Sequence, residues 1–126
     1  MYSFLIILQA FLMNWYIAKI VFGITTETSQ KQQFDEQLRL IYADSLEEAF
    51  LKARTIGLSE EDSFLNDKNN LVKWEFINVP ELTPIKNLED GVEVYSRIHE
   101  MEEATPYIHV IHQKAIALRL NARPLF

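Results

Sequence analysis

Residues Trp15 to Ile24 read WYIAKIVFGI, and this stretch decides the fold. It is rich in β-branched and aromatic residues, which predicts a β-strand. Its even-numbered positions are all apolar, and Lys19 is the only charged residue at its odd-numbered positions. Since both faces of the strand are largely apolar, we expect it to lie in the middle of a sheet.

A second strand is predicted over Phe34–Ala43 (FDEQLRLIYA), after the polar connection Thr25–Gln33. The short connection favours an antiparallel hairpin. The alternation predicts that the even-numbered side chains, such as Leu38 and Leu40, face the core. The odd-numbered side chains, such as Arg39, are then expected to face away from it.

A helix is predicted to follow, because Ser45–Glu48 (SLEE) has the pattern of a capping box. Gly57 suits the position just beyond the end of the helix, which we place at Ile56. The acidic run Ser59–Asp62 is interpreted either as one further helical turn or as a solvated loop. Helical spacing predicts an apolar stripe of Leu46, Ala49, Phe50 and Ala53.

Two further strands and a helix complete the pattern. Leu71–Val79 (LVKWEFINV) is predicted to be the third strand, ended by Pro80 and Pro84. The fourth strand is predicted over Val92–Met101 (VEVYSRIHEM), and Thr105-Pro106 is expected to open the last helix. The order ββαββα predicts an α+β fold, with a four-stranded, mainly antiparallel sheet and two helices packed on one face.

Composition limits the functions that the chain could have. Its 126 residues fit one domain, and 48% of them are apolar. The net charge of -6 disfavours nucleic-acid binding. The chain has no cysteine, which excludes disulfides and thiolate catalysis and fits a cytoplasmic location. The only glycines are Gly23, Gly57 and Gly91, so a Gly-rich phosphate loop is excluded.

We predict no catalytic residue, no cofactor and no metal site. His109 and His112 could share one face of the last helix, and His99 or Glu102 could supply a third metal ligand. The established metal-binding motifs are missing, however, so we interpret the histidines as surface residues. The carboxylates lie in runs, which are typical of a solvated surface rather than of an acid–base pair.

The apolar run Phe4–Met13 (FLIILQAFLM) has three interpretations. It is a dispensable extension before a start at Met13, a membrane anchor, or a segment that packs on the core. No basic residue precedes it, and no small-residue cleavage site follows it, so a signal peptide is disfavoured. Extending it to membrane-spanning length includes Lys19. We therefore expect an extension over 1–12, a single domain over 13–121 and a tail over 122–126.

Five blocks of sequence stand out as a set: Asn14–Phe22 (NWYIAKIVF), Phe34–Ile41 (FDEQLRLI), Ala49–Asn66, Val72–Val79 (VKWEFINV) and Asp90–Ile98 (DGVEVYSRI). Together they resemble an uncharacterised bacterial family catalogued as domain of unknown function 4288, over about Met13 to Leu118. The resemblance implies a cytoplasmic bacterial protein of this size with a domain that begins at Met13. It implies no activity.

The sheet face without helices is the candidate functional surface. The alternation predicts that it carries Trp15, Ile17, Lys19, Arg39, Glu75, Tyr95, Arg97 and His99. Aromatic residues and arginines are enriched at protein interfaces. An ordinary solvated sheet with cross-strand ion pairs would have a similar composition.

Our leading hypothesis is a non-enzymatic interaction module that uses this face, as a homodimer or with another protein partner. One alternative is a small-molecule binder or small enzyme with a polar pocket around Arg39, Glu75 and Arg97. A second alternative is a membrane-tethered adaptor, which requires that Phe4–Met13 is a genuine anchor. No nucleic-acid partner is expected.

Overall fold

A computed structural model of the chain describes residues 13–121, and the chain divides after Tyr95 into two units. The first unit contains β1 (Asn14–Thr26), β2 (Gln33–Ala43), α1 (Leu46–Ser59), β3 (Asp62–Leu65) and β4 (Leu71–Ile85). The second unit contains α2 (Ala104–Asn121). The α+β class and the order ββαββα are confirmed, although one predicted strand is replaced by another.

The sheet has the strand order β2-β1-β4-β3, and every neighbouring pair is antiparallel. β1 is central, as its two apolar faces predict. Residues paired across antiparallel strands lie on the same face of a sheet. Trp15 pairs with both Tyr42 and Ile85, and Tyr16 pairs with Ile41. The odd-numbered side chains of β1 therefore share a face with the even-numbered side chains of β2.

The core lies between the even-numbered face of β1 and α1. Ala18, Ile20 and Phe22 are completely buried, as are Ala49 and Ala53 of the helix. Alanines on both surfaces let the helix approach the sheet closely, and the larger side chains of Ile20 and Phe22 fill the rest of the core. Trp74 and Phe76 pack against this cluster.

The predicted capping box is present at the start of α1. The Ser45 hydroxyl accepts a hydrogen bond from the Glu48 amide at 3.1 Å, while the Glu48 carboxylate accepts one from the Asp44 amide at 3.1 Å. The helix does not end at Ile56 but continues through Gly57 to Ser59. A Cβ atom on Gly57 would collide with the ring of Phe76, so this glycine permits close packing and is not a helix stop.

The predicted assignment of the two faces of β2 is wrong. Arg39 pairs with Ala18 and therefore lies on the helix side, whereas Leu38 and Leu40 lie on the opposite side and are each 51% exposed. Alternation alone favours burial of the larger apolar set, but the register of the β1–β2 hairpin places that set away from α1. The polar residues on the helix side bond to one another, with Gln37 donating to Asp35 at 2.6 Å and Arg39 donating to Gln37 at 2.7 Å.

The predicted fourth strand over Val92–Met101 is also wrong, since these residues form neither helix nor strand. The fourth strand is instead β3, of which only Asp62 belongs to a stretch that we interpreted, as a helical turn or a loop. A tight turn joins it to β4, in which the Asn66 side chain accepts hydrogen bonds from the amides of Lys68 and Asn70. With only four residues, β3 is too short to give a clear alternation.

β4 does not end at Val79 but continues through Pro80 and Pro84 to Ile85. β3 pairs only with the first part of β4, up to Trp74. Within residues 13–121, the rest of β4 has a strand partner on the β1 side only. Prolines are tolerated in such an edge because the missing N–H is not needed for the ladder. The β1–β4 register shifts twice between Lys19 and Phe22, as at β-bulges.

The second unit is described by itself. α2 forms where the sequence predicts a helix, and Thr105 and Pro106 lie in its first turn. None of its residues is buried, so its predicted packing on the sheet stays a prediction. The predicted domain boundaries at 12/13 and 121/122 also stay predictions, because residues 1–12 and 122–126 lie outside the described part of the chain.

Candidate functional site

The side of the sheet opposite α1 is here called the helix-free face. β1 contributes its odd-numbered side chains, β2 its even-numbered ones, and β4 the residues paired with them. Its members include Trp15, Ile17, Lys19, Val21, Phe34, Leu38, Leu40, Tyr42, Glu75 and Glu81 by strand pairing, and Ile77, whose side chain lies beside Gly23. The one helix within residues 13–95, α1, packs on the opposite face. Leu38, Leu40 and Tyr42 keep about half of their surface in contact with water.

One half of the helix-free face is apolar. The rings of Trp15 and Tyr42 are in contact, with centroids 4.8 Å apart and planes tilted by 43°. Next to them, Ile17 pairs with Leu40 across the β1–β2 ladder. Leu38, Leu40 and Tyr42 are 51%, 51% and 42% exposed. These side chains form a continuous strip rather than single exposed residues.

A charged group interrupts the centre of the face. The Lys19 ammonium lies 3.4 Å from the Glu81 carboxylate and 3.8 Å from that of Glu36. It also lies 5.9 Å from the centre of the Tyr95 ring. The Lys19 side chain is only 17% exposed, while those of Glu36 and Glu81 are 63% and 45% exposed. Because water screens both carboxylates, these ion pairs contribute little to stability, but they fix a positive charge within the apolar strip.

The structure places four of the predicted site residues on this face and brings a fifth beside it. Trp15, Ile17, Lys19 and Glu75 occupy strand positions of the face. Tyr95 reaches Lys19 from outside the strands, and not from the fourth strand that the sequence predicts.

The other three predicted site residues are placed elsewhere. Arg39 lies on the opposite face, where its guanidinium bonds to the carboxylate of Glu60 after the end of α1. Arg97 and His99 belong to the second unit, in which the ring of His99 contacts that of Tyr107 at 5.8 Å. The predicted polar pocket around Arg39, Glu75 and Arg97 is wrong, because Arg39 and Glu75 lie on opposite sides of one sheet.

Sequence reasoning missed the residues that dominate the face, namely Leu38, Leu40 and Tyr42. They were assigned to the core because their alternation with polar residues matched a half-buried strand. The register of the β1–β2 hairpin could have corrected this assignment, because it determines which residues of β2 share a face with the odd-numbered residues of β1. Odd-numbered residues of β1 pair with even-numbered residues of β2, so Trp15 and Tyr42 must share a face.

Two further observations concern possible chemistry. Of the helices within residues 13–121, none has the length and apolarity that a membrane span requires. In the same part of the chain, no three His, Asp or Glu side chains converge closely enough to hold a metal ion. His109 and His112 lie exposed on α2.

Comparison with known proteins adds one finding. No curated protein and no solved structure matches the chain. The family model described as "Domain of unknown function (DUF4288)" matches residues 15–96. This range is shorter than the resemblance seen in the sequence. It covers nearly all of β1 and everything from there to Tyr95, and it ends before α2. The chain therefore belongs to the family of the domain of unknown function DUF4288.

Proposed function

We propose that the first unit is a non-enzymatic interaction module that binds a protein partner through the helix-free face. The observation that carries the proposal is the apolar strip, in which Leu38, Leu40 and Tyr42 lie half-exposed beside Trp15 and Ile17. Contiguous exposed apolar surface is typical of binding sites, whereas single exposed apolar residues are ordinary.

The size and chemistry of the strip fit a protein partner. Burying one side chain of this size is worth roughly 1.5–3 kcal/mol, so several together can supply a binding free energy. The pair of Trp15 and Tyr42 adds aromatic surface, which is enriched in interface centres. Lys19, Glu36 and Glu81 supply charges that orient a partner more than they tighten its binding.

The other predicted alternatives have less support. A small-molecule site around Arg39 and Glu75 would have to reach through the sheet. A membrane-tethered adaptor depends on Phe4–Met13, of which only Met13 is described. A second copy of the chain is the simplest partner for an isologous contact, and the cytoplasmic and bacterial setting stays a prediction.

The test compares two variants of the full chain, in each of which one large aliphatic side chain is replaced by serine. Ile17→Ser alters the centre of the strip, while Leu58→Ser alters a leucine on α1 that is 50% exposed on the other side of the sheet. We expect Ile17→Ser to abolish binding through this face, measured by capture of a partner from lysate. Where that partner is a second copy, the mass measured by light scattering of the pure protein should fall as well. Leu58→Ser should leave association unchanged.

Circular dichroism and thermal melting establish that both variants are folded. A wild-type protein that is monomeric at about 100 µM, where even a weak specific complex would form, and that captures no protein would contradict the proposal. Equal loss of association in both variants would contradict it as well.

A further inference from the structure

The two edges of the sheet differ in how well they are protected from pairing with a further strand. At one edge, β3 has only four residues, and the adjoining flank of β4 is closed in other ways. The Glu61 carboxylate accepts a hydrogen bond from the Phe76 amide at 3.0 Å, and Pro80 and Pro84 have no N–H to offer. Short edge strands, charges and prolines are the means by which proteins prevent strand pairing.

The other edge, β2, is neither short nor interrupted by proline, although it carries three charged residues, Asp35, Glu36 and Arg39. It is eleven residues long and contains neither proline nor glycine. Within residues 13–121 it has a strand partner on one side only. An open groove of about 490 Å³ lies along it, between Leu40–Tyr42 and the α1 residues Leu51 and Ile56. α1 therefore leaves room for a further strand beside β2.

The orientation of the β2 backbone follows from one contact. The Tyr42 carbonyl accepts a hydrogen bond from the Lys52 ammonium at 2.6 Å, so it points away from β1. Both backbone groups of a residue in an antiparallel strand point to the same side, and this side alternates along the chain. The N–H and C=O groups that point to the open edge are therefore those of Phe34, Glu36, Leu38 and Leu40.

We propose that β2 pairs with β2 of a second copy of this chain, antiparallel and edge to edge, about a two-fold axis at Gln37. The two four-stranded sheets then become one continuous sheet of eight strands. This inference does not depend on the proposed function. Pairing at the edge joins two sheets side by side, whereas association through the helix-free face stacks one surface on another.

The row of outward groups fixes the register. Only a two-fold axis at Gln37 pairs all four residues with one another, Phe34 with Leu40 and Glu36 with Leu38. An axis at Leu38 would require the Tyr42 carbonyl, which Lys52 already occupies. An axis at Glu36 would pair Leu40 with Gln32, which precedes the strand.

The side chains are self-complementary in this register. Asp35 lies opposite Arg39 of the second copy on the helix side, and the same pair recurs across the axis. Opposite charges directly across two strands are favourable. On the other side Phe34, which is 60% exposed, lies opposite Leu40, which is 51% exposed. Glu36 lies opposite Leu38, and its charge is balanced by Lys19 of its own chain at 3.8 Å.

The absence of cysteine from the chain permits a direct test of the register. At the axis, Gln37 lies opposite Gln37 of the second copy. These two residues share no backbone hydrogen bonds, and in such pairs the Cβ atoms approach most closely. Full-length Gln37→Cys should form a disulfide-linked dimer on mild oxidation, seen on a non-reducing gel, because the Cβ separation suits a disulfide. Gln33→Cys and Arg39→Cys, which lie far from their own copies, should remain monomeric on the same gel.

A second pair of variants tests the backbone contacts. Glu36→Pro removes one outward N–H, and therefore two symmetric hydrogen bonds, while Glu36→Ala keeps that N–H. We expect Glu36→Pro to raise the dimer dissociation constant by about tenfold or more relative to Glu36→Ala, measured by sedimentation of the full chain. The N–H of residue 36 is not used in the β1 ladder, so the monomer should keep its circular dichroism.

The outcomes separate this inference from the proposed function. Failure of Gln37→Cys to cross-link, or cross-linking of Arg39→Cys in its place, overturns the edge pairing at Gln37 even if Glu36→Pro does not fold. Equal dissociation constants for Glu36→Pro and Glu36→Ala also overturn it. Loss of binding in Ile17→Ser with intact cross-linking of Gln37→Cys would leave both proposals standing, as two separate surfaces.

Discussion

The two faces of the first-unit sheet are built from different kinds of residue. On the helix side, Ala18, Ala49 and Ala53 are completely buried, together with Ile20 and Phe22. On the helix-free face the large side chains of β2 are about half-exposed. Alanines lie where α1 approaches the sheet most closely, and the large half-exposed residues lie where no helix or strand within residues 13–95 covers them.

This difference separates stability from binding. A buried side chain contributes its transfer free energy in the folded monomer, whereas a half-exposed one has part of that free energy left for a partner. The helix side therefore determines whether the unit folds, and the helix-free face can change with little effect on folding. Three comparisons of matched variants test this view.

The largest difference is expected between Phe22→Ala and Leu40→Ala. Phe22 is completely buried between Trp74 and Phe76, with ring centroids 6.3 Å from each. Truncation of Phe22 should lower the unfolding free energy by about 3–5 kcal/mol. Truncation of the half-exposed Leu40 should lower it by under about 1 kcal/mol. Urea denaturation of dilute protein measures both. Equal losses would show that the two faces do not differ.

A difference in stability of intermediate size is expected between alanine substitutions at Gly57, in α1, and at Gly23, in β1. An alanine Cβ at Gly57 would collide with the Phe76 ring. At Gly23 it would meet the end of the flexible Gln32 side chain at 2.6 Å and Ile77 at 3.1 Å. We expect Gly57→Ala to cost about 1–2 kcal/mol, after the gain in helix propensity is counted.

The matched change Gly23→Ala should cost less than about 1 kcal/mol, because a side-chain end can move more easily than a packed ring. Thermal midpoints, recorded at the same protein concentration, report the difference. A larger loss for Gly23→Ala than for Gly57→Ala would contradict the view that close approach is confined to the helix side.

The smallest effect is expected for Lys19→Met, in the centre of the helix-free face. Its two carboxylate partners are largely exposed, so its loss should change the unfolding free energy by under about 1 kcal/mol. The difference from wild type should shrink further in about 1 M salt, which screens such pairs. Lys68→Met, in the exposed turn before β4, is the control. A cost above about 2 kcal/mol would show that Lys19 is structural.

The parts of the fold that the sequence predicts are those with strong local signals. Ser45 and Glu48 mark the start of α1, and the apolar faces of β1 mark it as central. The errors arise where contacts between distant parts of the chain determine the local structure. Alternation in β2 does not reveal which face meets the helix, because the hairpin register sets this. An alternating stretch such as Val92–Met101 resembles a strand whether or not a neighbour pairs with it.

The candidate site follows the same division. Trp15, Ile17 and Lys19 were placed on the correct face because Lys19, the only charged residue of β1, lies on its odd-numbered side. Arg39 was misplaced with the rest of β2, and Tyr95 reaches Lys19 by a path that no local pattern encodes. Sequence reasoning could thus identify the β1 half of the face, but not the β2 half.

The antiparallel ladder between β1 and β4 has a consequence for folding during synthesis. Trp15 pairs with Ile85 and Thr26 with Val72, so this ladder joins distant parts of the chain, while the β1–β2 hairpin is local. Contacts between distant residues form late and slow folding. As the chain leaves the ribosome, we expect the hairpin and α1 to appear first, with one side of β1 unpaired until β4 has emerged. Nascent chains stopped before Leu71 should therefore aggregate more than those extended beyond Ile85, as pelleting of released chains would measure.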